Sequence, residues 1–216
     1  MKKLITLSLV LFSVVSLFAQ GQNDPDAKRV LDAVSAKFKT YKTPQASFTY
    51  KVENAQGKTL ASKKGTVYMK GSKFKVTMPG LEIFSDGHTQ WSYDKSAKEV
   101  TVKSIDDSQS EISPQKLFTN FYDKTFLYKM NGEKKVGAKT LQEIELTPTD
   151  KNRPFFKVYA LVDKSTQTLY SAKFLEKTGN RYSYTIDNLN PNANISDAQF
   201  AFDKSKYPGV EVVDLR

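Results

Sequence analysis

Ala46-Ser-Phe-Thr-Tyr-Lys-Val52 and Lys73-Phe-Lys-Val-Thr-Met78 are the stretches that decide the fold of this 216-residue chain. In both, large apolar side chains alternate with polar ones. Strict alternation with period two places the apolar residues on one face of a β-strand and the polar residues on the other. Many such strands in series form a curved sheet with its apolar face turned inward. The function depends on whether that interior holds only the protein's own side chains or also a ligand.

Similar strand-like segments recur between turn signals such as Asp86-Gly87 and Asn131-Gly132. The pattern predicts ten to eleven strands, with a final short strand at Phe200–Phe202. Because neighbouring strands are close in sequence, an antiparallel meander is the simplest topology. We therefore predict a mainly β (α+β) fold, in which an incomplete antiparallel barrel of roughly eleven strands is covered by helices.

Two helices are predicted, and both have an apolar side. The first begins at Asn23-Asp24-Pro25, where a capping residue precedes proline, and runs to about Lys39. The second begins at Ser113-Pro114, after a polar and acidic loop. The residues at helical spacing are Val30, Leu31, Val34 and Phe38 in the first helix and Leu117, Phe118, Phe121 and Tyr122 in the second.

The first nineteen residues have the pattern of a secretory signal peptide. Lys2 and Lys3 form a charged start, Leu4–Val15 is mostly apolar, and the small Ala19 suits a cleavage site. The apolar stretch is short for a membrane span. The chain contains no cysteine, so no lipid anchor can form on a thiol after cleavage. We expect residues 20–216 to be a single exported domain, most simply in a bacterial periplasm.

The chain is basic, with a formal net charge of +10. A basic surface favours anionic partners such as lipid headgroups or acidic protein patches. Export argues against nucleic acid, and the lysines are scattered along the polar faces of strands instead of forming one run. The simplest interpretation is a solubilising exterior.

Candidate catalytic residues are few. His88 is the only histidine and follows a turn signal, so a Ser-His-Asp site remains an alternative that depends on one residue. Glu143 and Glu145 share a strand face and are expected to form a solvated edge. No metal-ligand spacing and no glycine-rich phosphate loop is present. We expect no enzymatic activity, no metal and no cofactor; a periplasmic hydrolase that uses His88 is the enzyme alternative.

The aromatic content, in contrast, is large for one sheet face. A half-open barrel of this size is not filled by a single face, so either helices or a ligand must occupy it. Walls of aromatic and methionine side chains suit acyl chains. The alternative is a structural β-protein with a fully packed interior. The inventory is Phe48, Tyr50, Phe74, Trp91, Phe118, Phe121, Phe155, Phe156, Phe174, Tyr182 and Tyr184.

Five motifs in order resemble the outer-membrane lipoprotein carrier family, LolA. The first strand of the family is similar to Ala46–Val52, and its central strand pair is similar to Gly65–Pro79. Its DGxxxWxY hairpin is similar to Ser85–Asp94. Its closing segment is similar to Asp197–Asp203 followed by Tyr207–Val212.

The resemblance implies an incomplete barrel lidded by helices over a hydrophobic cavity. It implies that the protein accepts lipoproteins released from the inner membrane by an ABC-type transporter and delivers them to an outer-membrane receptor, without a cofactor. We expect a monomer that binds no nucleic acid. The residues expected to face the lipid are Phe48, Tyr50, Met69, Phe74, Val76, Met78 and Trp91. The residues expected to form the lid are Val30, Val34, Phe38, Leu117, Phe118 and Phe121.

One position departs from the family pattern. The family commonly has an Arg-Pro pair after its second long strand, where the arginine latches the lid; here Gly71-Ser72 stands between Lys70 and Lys73. Lysine is a poor substitute for a bidentate arginine, so lid control is expected to differ. Two further alternatives stay open: a general carrier of phospholipid or glycolipid, and a regulatory sensor on the same scaffold.

Overall fold

The structure is a computed structural model that describes residues 23–105 and 122–216. The predicted signal peptide and most of the predicted second helix, including Leu117, Phe118 and Phe121, lie outside these residues. No helix in the described ranges has the length and apolarity needed to cross a membrane.

The described chain contains two α-helices, two short 3₁₀ turns and twelve strands. The helices are α1 (Pro25–Lys39) and α2 (Tyr122–Thr125), and the 3₁₀ turns are Asp197–Phe200 and Lys204–Lys206. The strands are β1 (Gln45–Glu53), β2 (Thr59–Lys70), β3 (Lys73–Met78), β4 (Leu81–Ser85), β5 (Thr89–Asp94), β6 (Glu99–Ser104), β7 (Phe126–Val136), β8 (Lys139–Pro148), β9 (Phe155–Asp163), β10 (Thr168–Glu176), β11 (Arg181–Asn190) and β12 (Glu211–Asp214).

The first helix has the predicted bounds because its end signals are local. The Asp24 carboxylate accepts hydrogen bonds from the backbone N–H groups of Asp26 (2.8 Å) and Ala27 (3.3 Å). Pro25 occupies the first turn, where no intrahelical N–H bond is lost. The other carboxylate oxygen of Asp24 accepts from the N–H of Met130 (2.9 Å), so the cap also fixes the start of α1 to β7.

The twelve strands form one open sheet in the order β12-β6-β5-β4-β3-β2-β1-β11-β10-β9-β8-β7. Two meanders, β1 to β6 and β7 to β11, meet where β1 pairs with β11. All pairs are antiparallel except β12 on β6. The predicted incomplete antiparallel barrel is therefore confirmed, with one strand more than the approximate count of eleven.

Two local predictions are wrong. Asn131-Gly132 does not turn the chain; it forms a bulge within β7, and pairing with β8 continues to Val136. Phe200–Phe202 is not a strand, because a 3₁₀ turn ends at Phe200, and the last strand is β12. In both places long-range pairing or packing overrides a local signal.

The sheet has an apolar layer on each face. We call the face that carries Phe48, Phe74 and Phe174 the inner face; its side chains and the buried side of α1 form the main core. On the other, outer face, Phe84 of β4 packs against Phe202 and Tyr207 of the C-terminal segment at ring-centroid distances of 5.8 and 6.4 Å.

Candidate functional site

A row of aromatic rings crosses the inner face from β1 to β7. Successive ring centroids are 6.1 Å apart between Phe48 and Tyr184, and 6.2 Å apart between Tyr184 and Phe174. The row continues through Phe155, 5.3 Å from Phe174, to Phe126, 6.3 Å from Phe155. These distances are typical of favourable aromatic pairs. The inner face is thus a continuous apolar surface across both meanders.

Helix α1 covers the part of this surface near β7 and β10, the strands against which it packs. Ala27, Val30, Leu31 and Val34 are buried there. Each fully buried Val or Leu side chain contributes about 1.5–3 kcal/mol. At the C-terminal end of α1, the Lys37 ammonium donates to the carbonyl of Thr166 in the β9–β10 turn (2.6 Å).

The predicted lid residues of α1 lie on this covering side. Val30 and Val34 are buried in the core, and Phe38 is half-buried against it. The Asp32 carboxylate accepts a hydrogen bond from the Tyr122 hydroxyl (2.7 Å), which joins α1 to the start of β7 through α2. Helix α1 is therefore held to β7 and to the β9–β10 turn at several points.

Three tyrosines lie on the inner face where β1 meets β11. The Tyr50 ring centroid is 6.0 Å from that of Tyr182 and 5.1 Å from that of Tyr184. All three side chains are half-buried. Burial raises the pKa of the Tyr50 and Tyr184 hydroxyls. None of the three hydroxyls has a hydrogen-bond partner among the described residues, so their donors are available to a ligand.

Six of the seven predicted lipid-facing residues share the inner face. Phe48, Met69, Phe74 and Val76 are buried in its core, with exposed fractions of 8% or less. Tyr50 and Met78 are half-buried beside them.

Trp91 lies on the outer face instead. The register pairs Val76 with Ile83 and Ile83 with Ser92, so Ser92, and not its neighbour Trp91, shares the inner face. Trp91 pairs with Phe84, which packs beneath the C-terminal segment. The alternation around Trp91 is as predicted, but alternation alone does not tell which face of the sheet is the inner one.

Further inner-face residues were not predicted as site residues. Tyr182, Tyr184 and Ile186 follow one another with period two in β11, and Ile83 pairs with Val76 in β4. Tyr182 and Tyr184 belong to the aromatic inventory of the sequence. The pairing of β11 with β1, which places them beside Tyr50, joins segments more than a hundred residues apart and has no local signal.

The other candidate residues have structural partners. His88 is exposed in the β4–β5 turn, where its carbonyl accepts from the N–H of Ile105 (2.7 Å). Glu143 forms an ion pair with Lys134, and Glu145 forms one with Lys157 (2.8 Å). Among residues 23–105 and 122–216 no cluster of side chains has the composition of a metal site.

The position of the family's Arg-Pro pair is a two-residue turn between β2 and β3. Gly71 has a φ of 57°, which glycine adopts without strain. The flanking Lys70 and Lys73 both donate to the carboxylate of Asp197, the Lys73 bond being 2.9 Å long. These two lysines therefore fasten the C-terminal segment to the β2–β3 hairpin.

Comparisons with known proteins find relatives of this chain by sequence. The outer-membrane lipoprotein carrier protein of Actinobacillus pleuropneumoniae serotype 3 (strain JL03) is 27% identical over 231 residues, covering 100% of this chain and 97% of that protein. The protein of the same name from Pectobacterium carotovorum subsp. carotovorum (strain PC1) is 26% identical, with full coverage of both chains.

Among solved structures, an uncharacterized conserved protein from Thermus thermophilus has a similar fold. Its TM-score is 0.57 at 13% identity, over 88% of this chain and 99% of that one. The sequence model of the family described as "Outer membrane lipoprotein carrier protein LolA" matches residues 39–203. This match spans well over half of the chain, and the chain belongs to the LolA family.

Proposed function

We propose that this protein is a periplasmic carrier that holds the acyl chains of lipoproteins on its inner face and moves them from the inner to the outer membrane. The observation that carries the proposal is the continuous apolar inner face, of which the part around Tyr50, Tyr182 and Met78 is only half-buried. Family membership supports lipoproteins as the cargo.

The physical need for such a surface follows from the cargo. Burial of one CH₂ group contributes about 0.8 kcal/mol, so a protein with several acyl chains does not leave a membrane for water unaided. A carrier must replace the bilayer with apolar surface and still release the chains. Methionine and tyrosine side chains at the half-buried part adapt to disordered chains without a rigid fit.

The proposed lipid-facing set follows the sheet register. It keeps six residues of the original prediction, omits Trp91 and adds two tyrosines of β11. Val30, Val34 and Phe38 of α1 would cover one side, and Leu117, Phe118 and Phe121 are proposed to complete the lid. The proposed lipid-facing residues are Phe48, Tyr50, Met69, Phe74, Val76, Met78, Tyr182 and Tyr184.

The partners and location are proposed with the function. We infer an inner-membrane ABC-type complex as the donor of cargo and an outer-membrane receptor as its acceptor. We infer a periplasmic location, cleavage of residues 1–19, and a single domain from residue 20 to residue 216. The transfer would need no cofactor and no covalent chemistry.

A pair of adjacent substitutions tests the binding surface. Tyr182 lies on the inner face, whereas Ser183 lies on the outer face between Lys51 and Lys173, its cross-strand partners. Tyr182→Glu is expected to weaken the binding of a fluorescent triacylated peptide at least about 10-fold, because a carboxylate would have to be desolvated against acyl chains. Ser183→Glu adds the same charge and is expected to leave binding unchanged. Equal binding by both variants would refute the proposed surface.

Phe74 is a poor choice for such a test, because its side chain is only 3% exposed. A glutamate there would be buried in the free protein and would destabilise the fold itself. Because Tyr182 is half-buried, a glutamate there separates an effect on binding from an effect on folding.

Cargo identity separates a lipoprotein carrier from a general lipid carrier. Mass spectrometry of material co-purified from the periplasm is expected to show acylated proteins, not phospholipid or glycolipid alone. Depletion of the protein is expected to leave lipoproteins in the inner membrane, as measured by fractionation. Normal lipoprotein sorting after depletion would contradict the proposal.

A further inference from the structure

The sheet is split between β2 and the β3–β4 turn. Pairing of β2 with β3 extends only from Lys70–Lys73 to Thr66–Thr77. From Thr59 to Gly65, β2 is paired with β1 alone within the described part of the chain. Continued register would place Met78 opposite Gly65 and Pro79 opposite Lys64, and Pro79 has no N–H to donate.

The free edge of β2 presents backbone groups to this split. The N–H of Met69 donates to the carbonyl of Pro44 on the β1 side (2.9 Å). Backbone groups of alternate residues in a strand point to opposite sides, and the β1–β2 register is regular from Tyr68 to Ala61. The N–H and C=O groups of Lys64 and Ser62 therefore point away from β1, into the split.

A pocket of about 500 Å³ occupies the split. It touches Lys64 and Thr66, which face outward, and also Gly65 and Met78, which face inward. Successive residues of a strand point to opposite faces, so a pocket in contact with both sets lies beside the strand edge. Since Met78 packs on the inner-face core, the pocket lies directly beside the proposed lipid-binding surface.

The rim of the pocket is cationic. Lys64 and Lys95 line it, and the Lys63 ammonium donates to the carbonyl of Pro79 at 3.5 Å. Glu82 is the acidic residue of the lining, and it accepts a hydrogen bond from the Tyr207 hydroxyl (2.9 Å). An occupant with acidic groups is thus favoured at the rim.

We propose that the split is the exit for the polypeptide of the cargo, which leaves the inner face beside Met78 and pairs in extended form with Ser62–Lys64 of β2. The inference rests on the proposed function. Acyl chains cannot use backbone donors and acceptors, whereas the peptide that follows the acylated residue needs both water and hydrogen bonds. Addition of a strand to a free sheet edge is a common mode of peptide recognition. Acidic residues early in the cargo peptide would be attracted by Lys64 and Lys95.

Cysteine crosslinking tests the path of the peptide directly. The chain has no cysteine, so each introduced thiol is unique. The probe is a ten-residue triacylated peptide with one free cysteine at its fifth residue. Disulfide formation with Lys64→Cys is expected to be at least about 10-fold faster than with Lys135→Cys. Lys135 is a matched control, because it is an exposed lysine on β7, the strand at one end of the sheet.

Two outcomes of this experiment would overturn the inference. Equal rates for Lys64→Cys and Lys135→Cys would show that the peptide samples any free edge. No crosslink with Lys64→Cys, while the acylated peptide still binds, would place the exit elsewhere. Failure of the wild-type protein to bind the acylated peptide would instead refute the proposed function.

A proline substitution tests the backbone pairing. Lys64→Pro removes an N–H that points into the split and keeps the β1 side intact, and edge strands tolerate proline. It is expected to weaken binding of the triacylated peptide about 3- to 10-fold, as expected for one or two hydrogen bonds. Binding of an acylated cysteine amide without a peptide should be unchanged. Equal effects on both probes would overturn the pairing of the cargo peptide with β2. If Lys64→Pro does not fold, the crosslinking experiment still tests the path of the peptide, because it does not use this variant.

Discussion

Gly65 provides the sharpest test of how the inner face is packed. Its φ is not in the left-handed region, so the backbone does not require glycine. The close packing around it requires glycine, because a Cβ at this position would lie 2.5 Å from Cζ of Phe48 and 2.8 Å from Cγ of Met78. Phe48 is the cross-strand partner of Gly65, and its ring lies over the glycine.

The expected cost of Gly65→Ala is a balance of two effects. Carbon atoms pack at about 3.5–4.0 Å, so the Phe48 ring would have to move by about 1 Å. Overpacking of this kind costs about 1–3 kcal/mol. Replacing glycine reduces the entropy of the unfolded chain and stabilises by about 0.4–1 kcal/mol. We expect a net loss of about 1–2 kcal/mol in the free energy of unfolding, with reduced affinity for acylated peptide because the ring is displaced.

Urea unfolding of four proteins measures this balance: wild type, Gly65→Ala, Phe48→Leu and the double variant. Leucine lacks the Cζ atom, so the contact with residue 48 is relieved in the Phe48→Leu background and the contact with Met78 Cγ remains. There Gly65→Ala should cost less than in the wild type, which gives a coupling energy of about 1 kcal/mol. A Gly65→Ala protein as stable as wild type, or additive effects of the two substitutions, would refute the packing argument.

Three further predictions concern charged and polar groups. Hydrogen bonds from Lys173 and Lys51 lower the pKa of Glu53 from 4.5 to about 2, so these bonds stabilise the fold above pH 4.5 and the stabilisation is lost as the pH falls to 2. The difference in the free energy of unfolding between the wild type and Glu53→Gln should therefore shrink from pH 4.5 to pH 2, and a constant difference would contradict the lowered pKa. Asp197→Asn should change the urea midpoint little, because solvent screens the exposed ion pairs with Lys70 and Lys73. It should speed amide hydrogen exchange in the Asp197–Phe200 turn, and unchanged exchange would count against the fastening role. Burial raises the pKa of Tyr50, so this hydroxyl should ionise above the ordinary tyrosine range near pH 10. In an alkaline titration followed by absorbance, Tyr50→Phe should therefore differ from the wild type only above that range, and a smaller absorbance change near pH 10 would argue against burial of Tyr50.

Local signals were enough to predict much of the fold. Asp24 and Pro25 predict the start of α1 from two adjacent residues. The period-two pattern of Lys73–Met78 places Phe74, Val76 and Met78 on one face of the strand. Both the cap and the pleat act over a few residues, so no knowledge of the rest of the molecule is needed.

The candidate site depends on strand register and on contacts between distant residues, which a short stretch of sequence does not predict. The sequence predicts Trp91 among the lipid-facing residues, but the register of β4 with β5 decides which residue of an alternating pair points inward, and it places Trp91 on the outer face. The ion pairs of Lys70 and Lys73 with Asp197 join residues 127 and 124 positions apart. Asn131-Gly132 has a strong local preference for a turn, but pairing of β7 with β8 beyond it stabilises a bulge instead.

In the proposed function, two parts of the inner face have different tasks. Near α1, Phe126, Phe155 and Phe174 are exposed by 9% or less and pack as a fixed core, which stabilises the fold without cargo. Near the split, Tyr50 and Met78 are half-buried, so acyl chains can cover them without first displacing a packed core. Because one row of rings joins the two regions, cargo can extend the core of the folded protein from its open side. In the proposed function, part of the binding energy then comes from surface around Tyr50 and Met78 that the free protein leaves partly in water.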